Sequence, residues 1–188
     1  MKTDLTVDAT GLACPMPVVK TKKAIETLQP GQVLEVLATD KGSLADIQAW
    51  ANATGHHYIG NTQEQNIFKH YIRKADPNEV KEDVSFPHTI ENEKLEQLLD
   101  SKKEIVILDV REPVEFAFGH IPNAMNIPLG QLSFRLNELS RNDEIYVVCR
   151  TGNRSDFACR ILSEHGFTNV KNVLPGMHMW DGPVEKNV

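Results

Sequence analysis

Residues 75–83, ADPNEVKED, limit the possible folds of this chain more than any other stretch. They hold four acidic residues, one lysine and a proline, and they separate two apolar patterns of different kind. Such a segment reads as a linker. The 188 residues then divide into two small domains, 1–74 and 84–188, rather than one large one.

The two halves have different periodicities. In the first, DLTVD alternates as a strand does. A helix is expected from Pro15 to about Leu28, with Val18, Thr21, Ile25 and Leu28 as its buried stripe, and Gln29-Pro30-Gly31 stops it. VLEVLAT is a second strand. Ser43 with Asp46 three residues on resembles a capping box opening a helix that runs to Gly55. HHYIG and NIFKHYIRK read as two more strands. The order β-α-β-α-β-β implies a two-layer domain with both helices on one face of one sheet. In the second half a helix is expected over residues 91–99, then the apolar strand EIVILDV, a loop HIPNAMNIP and a short helix over 132–139. The strand EIYVVC, the loop RTGNRS, the helix SDFACRILSEHG and the strand NVKNV follow. Strands alternating with helices predict an α/β domain on a parallel sheet.

Charge and composition exclude several classes. Residues 1–74 carry 8 Lys/Arg against 7 Asp/Glu, and residues 75–188 carry 12 against 19. Neither half has the basic excess of a direct nucleic-acid binder. No apolar run is long enough to span a membrane, and the opening MKTDLTVD lacks the apolar core of a signal peptide. A cytoplasmic protein with no membrane partner is expected. The three cysteines, Cys14, Cys149 and Cys159, have neither disulfide-framework nor zinc spacing. Nothing calls for a metal, nucleotide or organic cofactor, so any cysteine chemistry is that of a free thiol.

Cys149 ends an apolar strand, and a glycine-containing loop then opens a helix. Ligands bind at the carboxyl ends of strands in open α/β sheets. Successive N–H groups in such a loop, with a helix N-terminus, form an anion nest, and Arg150 and Arg154 add fixed charge. These are conditions that stabilise a negative sulfur species. Cys159 lies inside the following helix and reads as a core residue.

Cys14 stands directly before Pro15 and Pro17 in GLACPMPVVK. Both prolines suit a first helical turn, whose N–H groups lack intrahelical partners. Placing them at the first and third helical positions leaves Cys14 as the cap, at the positive end of the helix dipole, with the Met16 and Val18 N–H groups free to point at the sulfur. Lys20, Lys22 and Lys23 are either a solvated face or a surface for an acidic partner.

Two resemblances follow from these motifs. CRTGNRS, LDVREPVEFAFGHIPNAMNIPL and LPGMHMW resemble the active-site loop, upstream signature and closing segment of the rhodanese family of sulfurtransferases. DATGLACPMPVVKTKKAI and ATDKGSLADI resemble the small sulfur carriers of the TusA/SirA-like family, over about residues 4–74. Asn123 and Pro175 depart from the rhodanese pattern, where glycine is common, and both lie outside the loop. The first resemblance implies that Cys149 attacks the outer sulfur of a donor and becomes a persulfide. The N–H groups of Arg150, Thr151, Gly152, Asn153, Arg154 and Ser155 would hold it, and Arg150 and Arg154 would steer an anionic donor. Asp109 and Arg111 match a supporting pair, read as a loop brace, and His120 is read as structural. The spacing C-x4-R also bears on the substrate. Related phosphatases use C-x5-R, a wider cradle, and Ser155 stands here where their arginine would be. The shorter loop suits one extra sulfur atom rather than a phosphate. The second resemblance implies that Cys14 holds a persulfide and passes it to a partner.

Together these imply a sulfurtransferase and persulfide carrier. Cys149 takes a sulfane sulfur from thiosulfate or a low-molecular-weight persulfide and relays it to or from Cys14, for delivery to a thiol or protein acceptor. A nine-residue tether spans about 30 Å when extended, so transfer within one chain or between two is open. The alternative is a non-catalytic reactive-sulfur or redox sensor using the same two thiols.

Overall fold

The computed structural model describes residues 1–79, 86–101 and 103–188. It divides into two compact units, Met1–Pro77 and Asn78–Asn187. Of the expected linker, Pro77–Glu79 form one 3-10 turn, and residues 80–83 lie outside the described residues, as does the expected boundary at residue 84.

The first unit runs β1 (Leu5–Ala9), α1 (Met16–Thr27), β2 (Val33–Ala38), α2 (Ser43–Ala53), β3 (His57–Glu64) and β4 (Ile67–Arg73). Its four-stranded sheet has the order β1-β2-β4-β3, with β1 and β2 parallel and the other pairs antiparallel. Side chains alternate across a strand, so one face of β2 buries Leu34 and Val36 while Glu35 between them stays half-exposed. Ala24 and Ile25 of α1 and Ile47 and Ala51 of α2 pack on that one face with Ile72. This is the two-layer β-α-β-α-β-β arrangement that the pattern predicts.

The second unit runs β5 (Thr89–Glu91), α3 (Asn92–Asp100), β6 (Val106–Asp109), α4 (Pro113–Phe118), β7 (Met125–Asn126), α5 (Leu129–Leu132), β8 (Ile145–Val148), α6 (Asn153–Glu164) and β9 (Val170–Leu174). The sheet is wholly parallel, in the order β5-β9-β8-β6-β7. β8 lies at its centre and is buried on both faces. Ile145 and Val147 pack into the layer of Ala158 and Leu162 on α6, and Tyr146 and Val148 into the layer of Leu95 on α3. A strand covered on both sides needs an unbroken apolar run, which is why EIYVVC reads so clearly.

Three local expectations change. The helix expected over 132–139 is a single turn, α5, followed by a 3-10 turn at Leu136–Glu138. α4 lies within the stretch read only as a motif. It is built on Pro113 at its first turn and a capping box between Glu112 and Glu115. At α2 the cap is Gly42, with no side-chain cap bond, and the Ser43 hydroxyl turns inward to His70 instead.

Candidate functional site

The first thiol stands at the mouth of the β1–α1 loop. Asp8 accepts hydrogen bonds from the Thr10 N–H and hydroxyl (2.8 and 2.7 Å), and the Gly11 N–H donates to Thr39 Oγ1 at the end of β2 (2.9 Å). The two loops are thereby held side by side. Cys14 is exposed and precedes a cis peptide bond to Pro15. Its thiol donates to Asp46 Oδ2 at 2.6 Å, and its backbone N–H donates to Asp40 Oδ2 at 3.3 Å.

This corrects the reading of Cys14 as a dipole-stabilised cap. Pro15 is the cap and Pro17 the second helical residue, so Cys14 lies outside the helix. The Met16 N–H is spent on Ala13 O (3.0 Å) rather than left for the sulfur. A carboxylate hydrogen bond retains the proton. The bond to Asp46, then desolvation, then Asp40 push the thiol up to about 12. Lys20 is also partly committed, with its ammonium on Asp8 O at 2.8 Å, while Lys22 and Lys23 are exposed.

His70 of β4 braces the start of α2. It is fully buried, with Ser43 Oγ 3.0 Å from Nε2 and the Tyr58 hydroxyl 2.9 Å from Nδ1. Burial pulls its pKa down to about 4, against 6.5 for an ordinary histidine. Below about 6.5 the unfolded chain therefore binds a proton that the folded chain refuses. The first unit is expected to lose about 2 kcal/mol as pH falls from 6.5 to 4, and the loss from this group levels off about one pH unit below that. Thermal midpoints across this range check it, and His70→Gln should flatten the slope.

The second thiol is built differently. β8 delivers Cys149 to the carboxyl end of the sheet, 1% exposed. Residues 150–152 turn the chain into α6, with Gly152 as its cap at φ +91°. The Gly152 N–H donates to Cys149 Sγ at 3.1 Å, and Ser155 Oγ lies 3.2 Å from the same sulfur. Two side chains that sequence reasoning missed hold the loop in place. Asn172 of β9 donates to Gly152 O at 3.1 Å, and Asn92 pairs with Gly176 through its amide nitrogen (3.0 Å) and oxygen (3.3 Å). The closing segment returns to the loop, with the Met177 N–H on Cys149 O (2.9 Å) and the His178 N–H on Arg150 O (3.0 Å). At Gly176, φ +92°, a Cβ would sit 2.6 Å from Cys149 O and 2.9 Å from Arg150 O, so only glycine allows this approach.

Arg150 and Thr151 are exposed, and Asn153 is half-buried. Arg154 is not available to steer a donor, contrary to the sequence expectation. It is 4% exposed and turned into the protein, with both terminal nitrogens on Glu115 (2.6 and 2.8 Å) and Nε 3.7 Å from Glu79. Burial opposes its charge and Glu115 more than restores it, so its pKa lies above the ordinary value. Asp109 and Arg111 form a buried pair at 2.6 Å, and Arg111 also donates to Gly119 O at 2.7 Å, the geometry of a brace. His120 stacks on Phe116 at 3.7 Å and bonds Phe116 O through Nδ1. Cys159 is fully buried, and desolvation followed by Asp156 and Cys149 raises its pKa.

The folds of the two units define a class that the comparisons confirm. Residues 5–74 match the family model described as sulfurtransferase TusA, and residues 91–182 the rhodanese-like domain. The chain belongs to the sulfur-transfer family that joins a TusA domain to a rhodanese-like domain. Among its relatives is YrkF of Bacillus subtilis, provisionally named a sulfur carrier protein. It is 48% identical over 185 residues, covering 98% of this chain and 100% of that one. A sulfurtransferase of Allochromatium vinosum is 33% identical over 91 residues, 48% of this chain and 85% of that one. The crystal structure of a rhodanese-like domain protein from Staphylococcus aureus superposes with a TM-score of 0.51 at 34% identity, over 54% of this chain and 99% of that one. No helix among the described residues is long and apolar enough to cross a membrane.

Proposed function

We propose that the chain is a cytoplasmic sulfurtransferase and carrier in which Cys149 accepts a sulfane sulfur from thiosulfate or a small persulfide and exchanges it with Cys14. In this reading residues 1–74 are the carrier, 75–83 the tether and 84–188 the loading domain. The observation that carries it is the setting of Cys149 Sγ at the start of α6, where the Gly152 N–H donates to the sulfur at 3.1 Å and the Ser155 hydroxyl, 3.2 Å away, can donate to it once it carries negative charge. Donors fixed on a sulfur stabilise negative charge there without reorganising. In loading, Cys149 Sγ forms a bond to the outer sulfur of the donor, whose bond to that sulfur breaks, and the donor leaves as sulfite or a thiol. In relay, Cys14 Sγ attacks the same outer sulfur and Cys149 leaves as the thiolate. Final delivery is to a thiol or protein acceptor.

Intact-protein mass after brief exposure to thiosulfate or glutathione persulfide tests this on wild type, Cys14→Ser and Cys149→Ser. The expected result is one added sulfur on Cys14→Ser and none on Cys149→Ser. Loading of Cys149→Ser at Cys14 would show that the carrier charges independently. No gain in any variant would remove the transferase reading and favour a sensor that modifies its thiols without turnover.

A further inference from the structure

The carboxylates around Cys14 have no place in the anion-stabilising logic of a sulfur carrier. Asp46 comes from the first turn of α2, 32 residues from the cysteine, and accepts the thiol proton at 2.6 Å. Asp40, within the β2–α2 loop, accepts the Cys14 N–H at 3.3 Å. Gly42 lies between them, and a Cβ there would meet Asp40 Oδ2 at 3.1 Å and Asp46 Oδ2 at 3.7 Å. Asp46 is itself exposed and Asp40 half-exposed, so neither is there to fill a core.

We propose that Asp46 is the proton acceptor for Cys14 in sulfur transfer, and that Asp40 and Asp46 together disfavour the loaded form, so that the charged carrier is driven to discharge. This rests on the carrier reading of Cys14. As Cys14 Sγ bonds to the outer sulfur of a persulfide R–S–S⁻, its proton passes to Asp46 Oδ2. The R–S bond to that outer sulfur breaks, and the leaving thiolate takes the proton from Asp46. The products are Cys14–S–S⁻ and R–SH, with no net oxidation or reduction. The empty carrier is satisfied, because its S–H has an acceptor. The loaded carrier has lost that hydrogen and places an anionic sulfur beside two carboxylates. A contact that stabilised the thiol now repels the perthiolate. The same contact keeps the empty thiol protonated and slow to react with oxidants or alkylating agents.

The test is Asp46→Asn in the full chain, with Cys149 and Cys159 replaced by serine in both the variant and its reference so that Cys14 is the only thiol. Alkylation of Cys14 by iodoacetamide at neutral pH is expected to be at least about tenfold faster in Asp46→Asn. After prolonged exposure to excess glutathione persulfide, which forces direct loading of Cys14 where the brief exposure above does not, discharge to glutathione is expected to be about fivefold slower, and salt should narrow the difference. Asp40→Asn, which keeps the Asp46 contact, should give smaller changes in the same direction. Equal alkylation rates would overturn the assignment of the proton to Asp46. Faster alkylation with unchanged discharge would overturn the bias toward unloading. If the reference Cys14 takes up no sulfur even on prolonged exposure to excess persulfide, the carrier reading fails, and the alkylation comparison still decides the role of Asp46.

Discussion

Cys149→Ser is expected to lose at least about a thousandfold of sulfurtransferase turnover with thiosulfate or a small persulfide as donor and cyanide as acceptor. The hydroxyl that replaces the thiol is a far weaker nucleophile and cannot form a persulfide. The fold should tolerate the change. Cys149 is buried in the layer of Ala158 and Cys159, and serine is close to it in volume, with Ser155 Oγ and the Gly152 N–H at hand as partners. A thermal midpoint close to wild type, measured beside the rate, separates lost chemistry from lost structure. If a tenth or more of the turnover survives, sulfur reaches the acceptor through Cys14 and the loading role of Cys149 fails. Hydrolysis of an aryl phosphate by wild type, lost in Cys149→Ser, would revive the phosphatase class that the loop spacing argues against.

Glu115→Ala is expected to have the largest effect on stability, about 3–5 kcal/mol from the second unit. The Glu115 side chain is 1% exposed and that of Arg154 5%, and they meet through two hydrogen bonds of 2.6 and 2.8 Å. Removing the carboxylate leaves a buried guanidinium, and it also ends the bond from the Glu112 N–H to Glu115 Oε2 (3.0 Å) that starts α4. Glu79, 3.7 Å from Arg154 Nε, is too far to replace it fully. Arg154 stands in the first turn of α6, two residues after the Gly152 cap, so its release should also lower transfer by loosening the loop. Calorimetry of the full chain checks the stability, and the Glu115→Leu/Arg154→Met double variant should recover much of it, because both charges are then gone. A loss under 1 kcal/mol in Glu115→Ala would mean that Arg154 is held by something other than this pair.

These cases show what the sequence could and could not disclose. The β8 strand was legible because burial on both faces demands an uninterrupted apolar run, and the loop after it because glycine and spacing leave a local mark. The helix after the C-P-x-P element was legible too, but the prolines misled by one residue. Pro15 reads equally well as a cap or as a first helical residue, and that choice decides whether Cys14 belongs to the helix or stands outside it. Arg154 was noticed and given the wrong task. Its partner is 39 residues away on α4, a helix too short to show a period. Asp46 was read as a helix-start residue, which it is, but the thiol it meets lies on a different loop. Asn172 and Asn92 carry no signal, since a buried asparagine on a strand or helix end has no pattern to announce it. Contacts set by tertiary approach are hidden from a reading that works along the chain.

The alternation along β8 makes the second thiol dependent on correct strand register. Ile145, Val147 and Cys149 face one layer, and Tyr146 and Val148 the other. A slip of one residue reverses the face of every side chain. It would carry the sulfur from the α6 layer, where Gly152 and Ser155 wait for it, into the layer of Leu95 and Ile107 on the far side of the sheet. The bulk of Tyr146 guards against this, since the slipped strand would have to drive that ring into the space shaped for Ile145 and Val147. The setting of Cys149 is thus proofread by packing as the sheet assembles.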